Sequence, residues 1–182
     1  MKLLKLMLLT AGMTTFAASA QAQDKNKDSG LYVNVGLQTL EFDTYSVVGR
    51  GGYNFSRNFG VEVEGSIGIS GTDVGATDIS DIEFTTPYSF GGYFVTRYPV
   101  APKFELLGRL GFTNINFEVS DDFQSETENI GGFATGAGFQ YNIDESNGLR
   151  ADFTNVLLFD GLGGDFLITN ATVIDVTFTR KF

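Results

Sequence analysis

The chain has 182 residues, with 22 acids against 12 bases, and contains neither cysteine nor histidine. The missing cysteine excludes disulfides, thiolate metal sites and lipid attachment through an N-terminal Cys, and the missing histidine excludes Ser-His and Cys-His nucleophile pairs and imidazole ligands. The net charge of −10 leaves too few cations to neutralise a phosphate backbone, so nucleic acid is not an expected partner.

The first element is a secretory signal peptide over residues 1–22. Lys2 and Lys5 precede an apolar stretch from Leu6 to Ala18, and small residues then permit cleavage after Ala20 or Ala22. The stretch is too short and too rich in Thr, Gly and Ser to serve as a membrane anchor. Residues 23–182 are expected to form one domain, with 10 bases against 22 acids once Lys2 and Lys5 are removed, or −12. No later apolar run approaches the length of a membrane helix. The mean hydropathy of +0.02 is nevertheless what strands give when only every second side chain meets lipid.

From Leu31 to Gln38 the chain alternates, with Leu31, Val33, Val35 and Leu37 on one face and Tyr32, Asn34, Gly36 and Gln38 on the other. That is strand period rather than helix period. A second strand sets Tyr45, Val47, Gly49, Gly51, Tyr53 and Phe55 against Ser46, Val48, Arg50, Gly52 and Asn54, and the polar turn Ser56-Arg57-Asn58 reverses the chain. The third sets Phe59, Val61, Val63, Gly65, Ile67 and Ile69 against Gly60, Glu62, Glu64, Ser66, Gly68 and Ser70. One of those faces tolerates oil and the other does not.

A fourth strand, from about Thr86 to Tyr98, sets Tyr88, Phe90, Phe94 and Tyr98 against Ser89, Gly91, Tyr93 and Arg97, and is expected to end in a turn at Pro99-Val100-Ala101-Pro102, where proline costs no ladder donor. The fifth sets Phe104, Leu106, Gly108, Leu110 and Phe112 against Glu105, Leu107, Arg109, Gly111 and Thr113. The sixth sets Phe133, Ala137, Phe139 and Tyr141 against Gly132, Ala134, Gly136, Gly138 and Gln140. After a turn at 142–148, the seventh sets Leu149, Ala151, Phe153 and Leu157 against Arg150, Asp152 and Thr154. The eighth sets Thr172, Ile174, Val176, Phe178, Arg180 and Phe182 against Val173, Asp175, Thr177, Thr179 and Lys181.

Eight strands of roughly 9–11 residues suit a membrane barrel or a soluble sandwich in number. Their connections separate the two. Turns at 56–58, 99–102 and 142–148 are short, whereas 39–44, 71–85, 118–129 and 159–170 are mostly longer, and the longer four hold 13 of the 22 acids with no Lys or Arg. Short turns at one end and long loops at the other are the habit of membrane barrels. The expected fold is therefore all-β, an eight-stranded antiparallel up-and-down transmembrane β-barrel with both termini periplasmic.

The polar face carries Arg50, Arg97, Arg109 and Arg150 with Glu62, Glu64, Glu105, Asp152 and Asp175. In a soluble barrel these would be charges in an apolar core, at a large desolvation cost; in a narrow membrane barrel they pair with one another in the lumen. Glycines at 36, 52, 60, 68, 91, 132, 136 and 138 share that face and are expected to give the long Arg and Glu side chains room. Tyr53, Tyr98 and Tyr141 point outward beside the three short turns, as an interfacial aromatic girdle would, with Tyr45 and Tyr88 candidates for the opposite interface.

Other chemistry finds little support. There is no G-x-x-x-x-G-K-[ST] loop to cradle phosphate and no D-x-[DN]-x-[DN]-G loop for a divalent cation, so no cofactor or metal is expected, although acidic loops bridged by Ca²⁺ or Mg²⁺ to lipopolysaccharide remain a reading to test. Glu62 and Glu64 are paired carboxylates on one strand face, yet salt bridging explains them better than acid-base catalysis, and no enzyme activity is expected.

Three segments carry a family resemblance. Residues 173–182, with outward apolars every second position and a terminal Phe182, resemble the assembly signal of outer-membrane proteins, with Phe178 and Phe182 as its aromatic residues. Residues 136–142 and 148–153 are similar to the sixth and seventh strands of OmpA-like and opacity-like "porin family" barrels, and residues 53–64 resemble their first periplasmic hairpin. The resemblance implies a monomer in the cell outer membrane, in contact with lipid and lipopolysaccharide and delivered by the barrel-assembly machinery through its last strand. It leaves two functions open, a structural or surface-interaction barrel with a filled lumen and a narrow porin-like channel for ions or small solutes.

Overall fold

A computed structural model describes residues 29–41, 44–69, 72–73, 83–85, 87–120, 125–159 and 168–182. The expected signal peptide and the acids Asp43, Asp78, Asp81, Asp121, Asp122, Asp160 and Asp165 lie outside the described residues. The strands are β1 (Gly30–Leu40), β2 (Thr44–Asn54), β3 (Phe59–Gly68), β4 (Thr72–Asp73), β5 (Glu83–Thr85), β6 (Tyr88–Ala101), β7 (Phe104–Ser120), β8 (Ser125–Asn142), β9 (Asn147–Phe159) and β10 (Ile168–Lys181).

Eight of these strands are staves of a closed antiparallel barrel. Each of β1, β2, β3, β6, β7, β8, β9 and β10 pairs with the next in that order, and β10 returns to β1 over Tyr32↔Lys181 to Leu40↔Val173. The expected closed up-and-down fold with eight staves is the one observed. Closure removes every free edge along the paired segments, which a membrane strand requires because lipid offers no hydrogen bonds.

Each stave follows the period of two. On β3, Gly60, Glu62, Glu64 and Ser66 are buried while Phe59, Val61, Val63 and Ile67 are exposed. Among the described residues 27 large apolar side chains are exposed, including Leu37, Val63, Phe90, Tyr98, Phe112 and Val176 at more than half of their surface. A water-soluble monomer rarely shows so continuous an apolar wall, whereas a lipid-facing wall needs one.

Three local expectations are corrected. Pro99 is not in a turn: β6 continues to Ala101, Pro99 pairs with Glu105, and the register shifts between Pro99 and Ala101, so an irregularity takes up the residue that cannot donate. The segment 118–129 is not mainly loop, because β7 and β8 stay paired from Phe104↔Tyr141 to Ser120↔Ser125. These strands have 17 and 18 residues instead of about ten. At about 3.3 Å per residue each is some 55 Å long, well beyond what a tilted strand needs for an apolar band about 25 Å tall. Within 71–85, β4 and β5 extend this sheet, β5 pairing with Glu118, Val119 and Ser120 of β7.

Candidate functional site

The lumen is built from residues two apart on the inner faces. Glu62 and Glu64 follow one another on β3, and Arg150 and Asp152 on β9. In the ring β3 and β9 are four staves apart, on opposite sides of an eight-stave barrel. Arg150 nevertheless reaches Glu62: Nη1 donates to Oε1, and Nη2 to Oε2 at 3.3 Å. A guanidinium-carboxylate pair thus crosses the full diameter of the tube.

Arg50 gathers three further acids. Its Nε donates to Glu64 Oε2 at 2.5 Å, its Nη1 to Asp152 Oδ2 at 2.9 Å and its Nη2 to Asp175 Oδ2 at 2.5 Å. Arg150 also donates to Asp152, from Nε at 2.7 Å and Nη2 at 3.1 Å. Arg109 donates to Glu64 Oε2 at 2.7 Å and lies 3.4 Å from Glu62 Oε2. Nearer the short turns, Arg97 Nη1 meets Glu105 Oε2 at 3.4 Å, and Lys181 Nζ meets Glu105 Oε1 at 3.4 Å.

The side chains of Arg50, Glu62, Arg150, Asp152 and Asp175 are wholly buried. Ions so placed are tolerable only when each is paired and hydrogen-bonded, and removing one partner strands the others. All nine charged residues singled out from the sequence line this one lumen, and each takes part in at least one ion pair.

The structure adds participants that sequence reasoning did not single out. Tyr32 donates its hydroxyl to Glu62 Oε1 at 2.8 Å, and the Arg97 guanidinium carbon lies 4.5 Å from the centre of its ring. Tyr93 donates to Glu64 Oε1 at 3.3 Å, and the Arg109 guanidinium carbon lies 3.9 Å from its ring centre. Asn142 donates to Glu105 Oε1 at 2.7 Å and accepts from Gln140 Nε2 at 2.7 Å and Lys181 Nζ at 2.9 Å. The available signal was the inward parity of Tyr32 and Tyr93, the two tyrosines on the polar face.

The role expected of the inner glycines changes accordingly. A Cβ at Gly52 would overlap the Tyr32 ring and one at Gly91 the Tyr93 ring; of the inner glycines only Gly138 makes room for a charged group, the Asp152 carboxylate. Gly52 and Gly91 seat the two tyrosines on which Arg97 and Arg109 stack, whereas Gly36, Gly60, Gly132 and Gly136 lie close to neighbouring backbone or uncharged side chains.

A second correction concerns the end of the lumen nearer the long connections. There the filling is apolar, with Leu40, Ile115, Ala134, Val156, Leu158, Ala171 and Val173 in one buried cluster. Between this cap and Glu64 lies a cavity, also bordered by Gln38, Ser46, Ser89 and Thr113, with room for on the order of one water. Along the β1-β10 seam Asn34, Gln38, Asp175 and Thr177 carry buried polar atoms without a protein partner among the described residues, the type of group that trapped water satisfies.

At the wall, Tyr98 is exposed while Tyr53 and Tyr141 are half-buried, and Phe178 and Phe182 are both exposed. In the β8-β9 turn Asp144 accepts from Ser146 N and Asn147 N at 2.8 Å each, and from Asn147 Nδ2 at 3.0 Å. These bonds, the Asn147 side chain's first, hold its carboxyl below the ordinary aspartate range.

A closed tube with an apolar wall and ionic filling points to one family, and the sequence matches its model. The model of the outer membrane protein beta-barrel domain covers residues 8–182. The chain belongs to this family. It is accordingly an outer-membrane protein. No curated protein sequence matches it. Among solved structures, Ail of Yersinia pestis is 16% identical with a TM-score of 0.54, over 85% of this chain and 98% of that one. The N-terminal β-barrel domain of Pseudomonas aeruginosa OprF is 10% identical with a TM-score of 0.60, over 84% and 97%. A major outer membrane protein of Thermus thermophilus is 8% identical with a TM-score of 0.61, over 85% and 99%. At such identities the likeness is one of fold.

Proposed function

We propose that this outer-membrane barrel has a structural or surface-interaction role, with a lumen closed by its own side chains, and that it is not an enzyme. The carrying observation is the Arg150-Glu62 pair across the tube, flanked by Arg50 and Arg109. Buried charges that are each other's partners act as a plug, and above them the apolar cap offers ions no hydration. In planar bilayers the purified protein should give no discrete opening events. Regular single-channel steps would remove this reading and favour the alternative, a narrow channel, which draws on the cavity above Glu64 and the unpartnered polar seam.

The remaining parts of the proposal follow the barrel's polarity. Residues 1–22 are the cleaved signal peptide and 23–182 the barrel domain, with termini and short turns in the periplasm. Tyr53, Tyr98 and Tyr141 form the periplasmic aromatic girdle, Phe178 and Phe182 form the signal read by the barrel-assembly machinery, and the protein works as a monomer in contact with lipopolysaccharide. Ail has been solved in complex with the heparin analogue sucrose octasulfate. A polyanionic ligand is not carried over to this protein, because the segments 39–44, 71–85, 118–129 and 159–170, at the end of the barrel opposite the short turns, contain 13 acids and no base, so they would repel one. Surface partners here should be cationic or neutral.

A further inference from the structure

We infer that the short-turn rim carries a binding surface for the phosphate of an anionic glycerophospholipid, built by Lys103 and Arg180 on either side of the β8-β9 turn. The inference rests on the proposed orientation and extends the girdle from a depth anchor to a lipid-selective one. Lys103, in the β6-β7 turn, donates from Nζ to Ile143 O at 3.3 Å, and its Nζ stands 5.8 Å from the centre of the Tyr141 ring. Tyr141 packs against Phe104 with ring centroids 5.0 Å apart. Since Phe104 is exposed on the outer wall, the ammonium lies on the lipid side of the barrel rather than over the lumen mouth.

Arg180 has the same parity as the outward Phe178 and Phe182, and its Nη1 donates to Asn147 Oδ1 at 2.9 Å. That bond holds the guanidinium at the rim and engages one of its five N–H donors. Strands β7 to β10 are successive, and both cations lean onto one turn, since the Ile143 that Lys103 contacts and the Asn147 that Arg180 contacts are themselves paired, Ile143 N donating to Asn147 O at 2.9 Å.

Every buried arginine pairs with at least one carboxylate, yet among the described residues neither Lys103 nor Arg180 forms an ion pair. Of the nearby acids, Glu105 points inward to Lys181 and Asn142, and Asp144 is hydrogen-bonded within its own turn, where it feels the Arg180 charge without pairing with it directly. Glu145 is exposed in the same turn. Cations held at the edge of an aromatic belt, facing lipid and without a directly bonded carboxylate, match a phosphodiester in the headgroup layer.

The test uses the full chain refolded into phosphatidylcholine vesicles containing either spin-labelled phosphatidylglycerol or spin-labelled phosphatidylcholine. The motion-restricted fraction of the spectrum measures association, and the heat-dependent gel shift reports insertion. The wild type should prefer phosphatidylglycerol by about fivefold or more at low salt, a preference that shrinks as salt rises. K103Q/R180Q should bring the ratio close to one, while K103R/R180K should keep it. An inserted wild type with equal association, or a K103Q/R180Q variant with undiminished preference, overturns the lipid assignment alone. A chain that fails to insert overturns the membrane orientation and the assignment together.

Discussion

Asp152 on β9 and Asp175 on β10 lie directly opposite each other across the strand pair, and Arg50 from β2 binds both. Two like charges in that position repel and destabilise a sheet. They coexist as buried anions because one planar guanidinium presents parallel donors to both while its Nε holds Glu64. Arg50→Met should therefore destabilise the folded barrel by about 3–5 kcal/mol, read as a lower urea midpoint in detergent or bilayer. Adding Asp175→Asn to Arg50→Met should recover part of the loss, since one of the stranded charges is then gone. An unchanged midpoint for Arg50→Met would show that the triple contact contributes nothing.

Gly52 and Gly51 are adjacent in sequence and face opposite sides of the wall. A methyl at Gly52 overlaps the Tyr32 ring, whereas at Gly51 the nearest atom is Val63 Cγ2 at 3.8 Å. Gly52→Ala should cost about 1–3 kcal/mol by displacing Tyr32 from Glu62 and from beneath Arg97. Gly51→Ala should be close to neutral. Equal effects of the two substitutions on unfolding would argue against the seating role of Gly52.

The absence of cysteine makes the proposed orientation testable by single-cysteine labelling. With a membrane-impermeant maleimide on intact cells, Asp78→Cys in the long connection between β3 and β6 should react, and Arg57→Cys in the β2-β3 turn should react only after the outer membrane is opened. The reverse pattern would place the short turns outside.

The β8-β9 turn should respond to acid in a defined sense. Asp144 titrates below its unfolded value, so its contribution to the turn is fully present above an unfolded pKa of roughly 4 and is lost as pH falls through the lower folded value. Amide exchange at Ser146 and Asn147 should stay protected at neutral and mildly acidic pH, and Asp144→Ala should speed it at every pH. Exchange rates that Asp144→Ala leaves unaltered would remove the carboxylate from the account.

Divalent cations should not matter to the fold. The acidic segments contain no D-x-[DN]-x-[DN]-G loop, and a solvated acidic surface accounts for them. Melting of the folded barrel should be the same in millimolar Ca²⁺ and in chelator, and a rise with Ca²⁺ would revive a cation site in the acidic connections.

By itself the sequence determined which side chains face lipid and which face the lumen, because a strand turns successive residues to opposite faces and no neighbour alters that parity. It equally determined the number of staves, for each alternating run is bounded by a turn or a change of period. The corrections at Pro99 and at 118–129 arose because local turn chemistry competes with cross-strand pairing, and pairing partners are not visible in one strand. Only the tertiary structure decided that Arg150 meets Glu62 across the tube, that Tyr32 and Tyr93 occupy the space left by glycine, and that apolar side chains cluster at the far end. Those relations depend on ring closure and on the register between β1 and β10, which place residues 88 positions apart within hydrogen-bond reach.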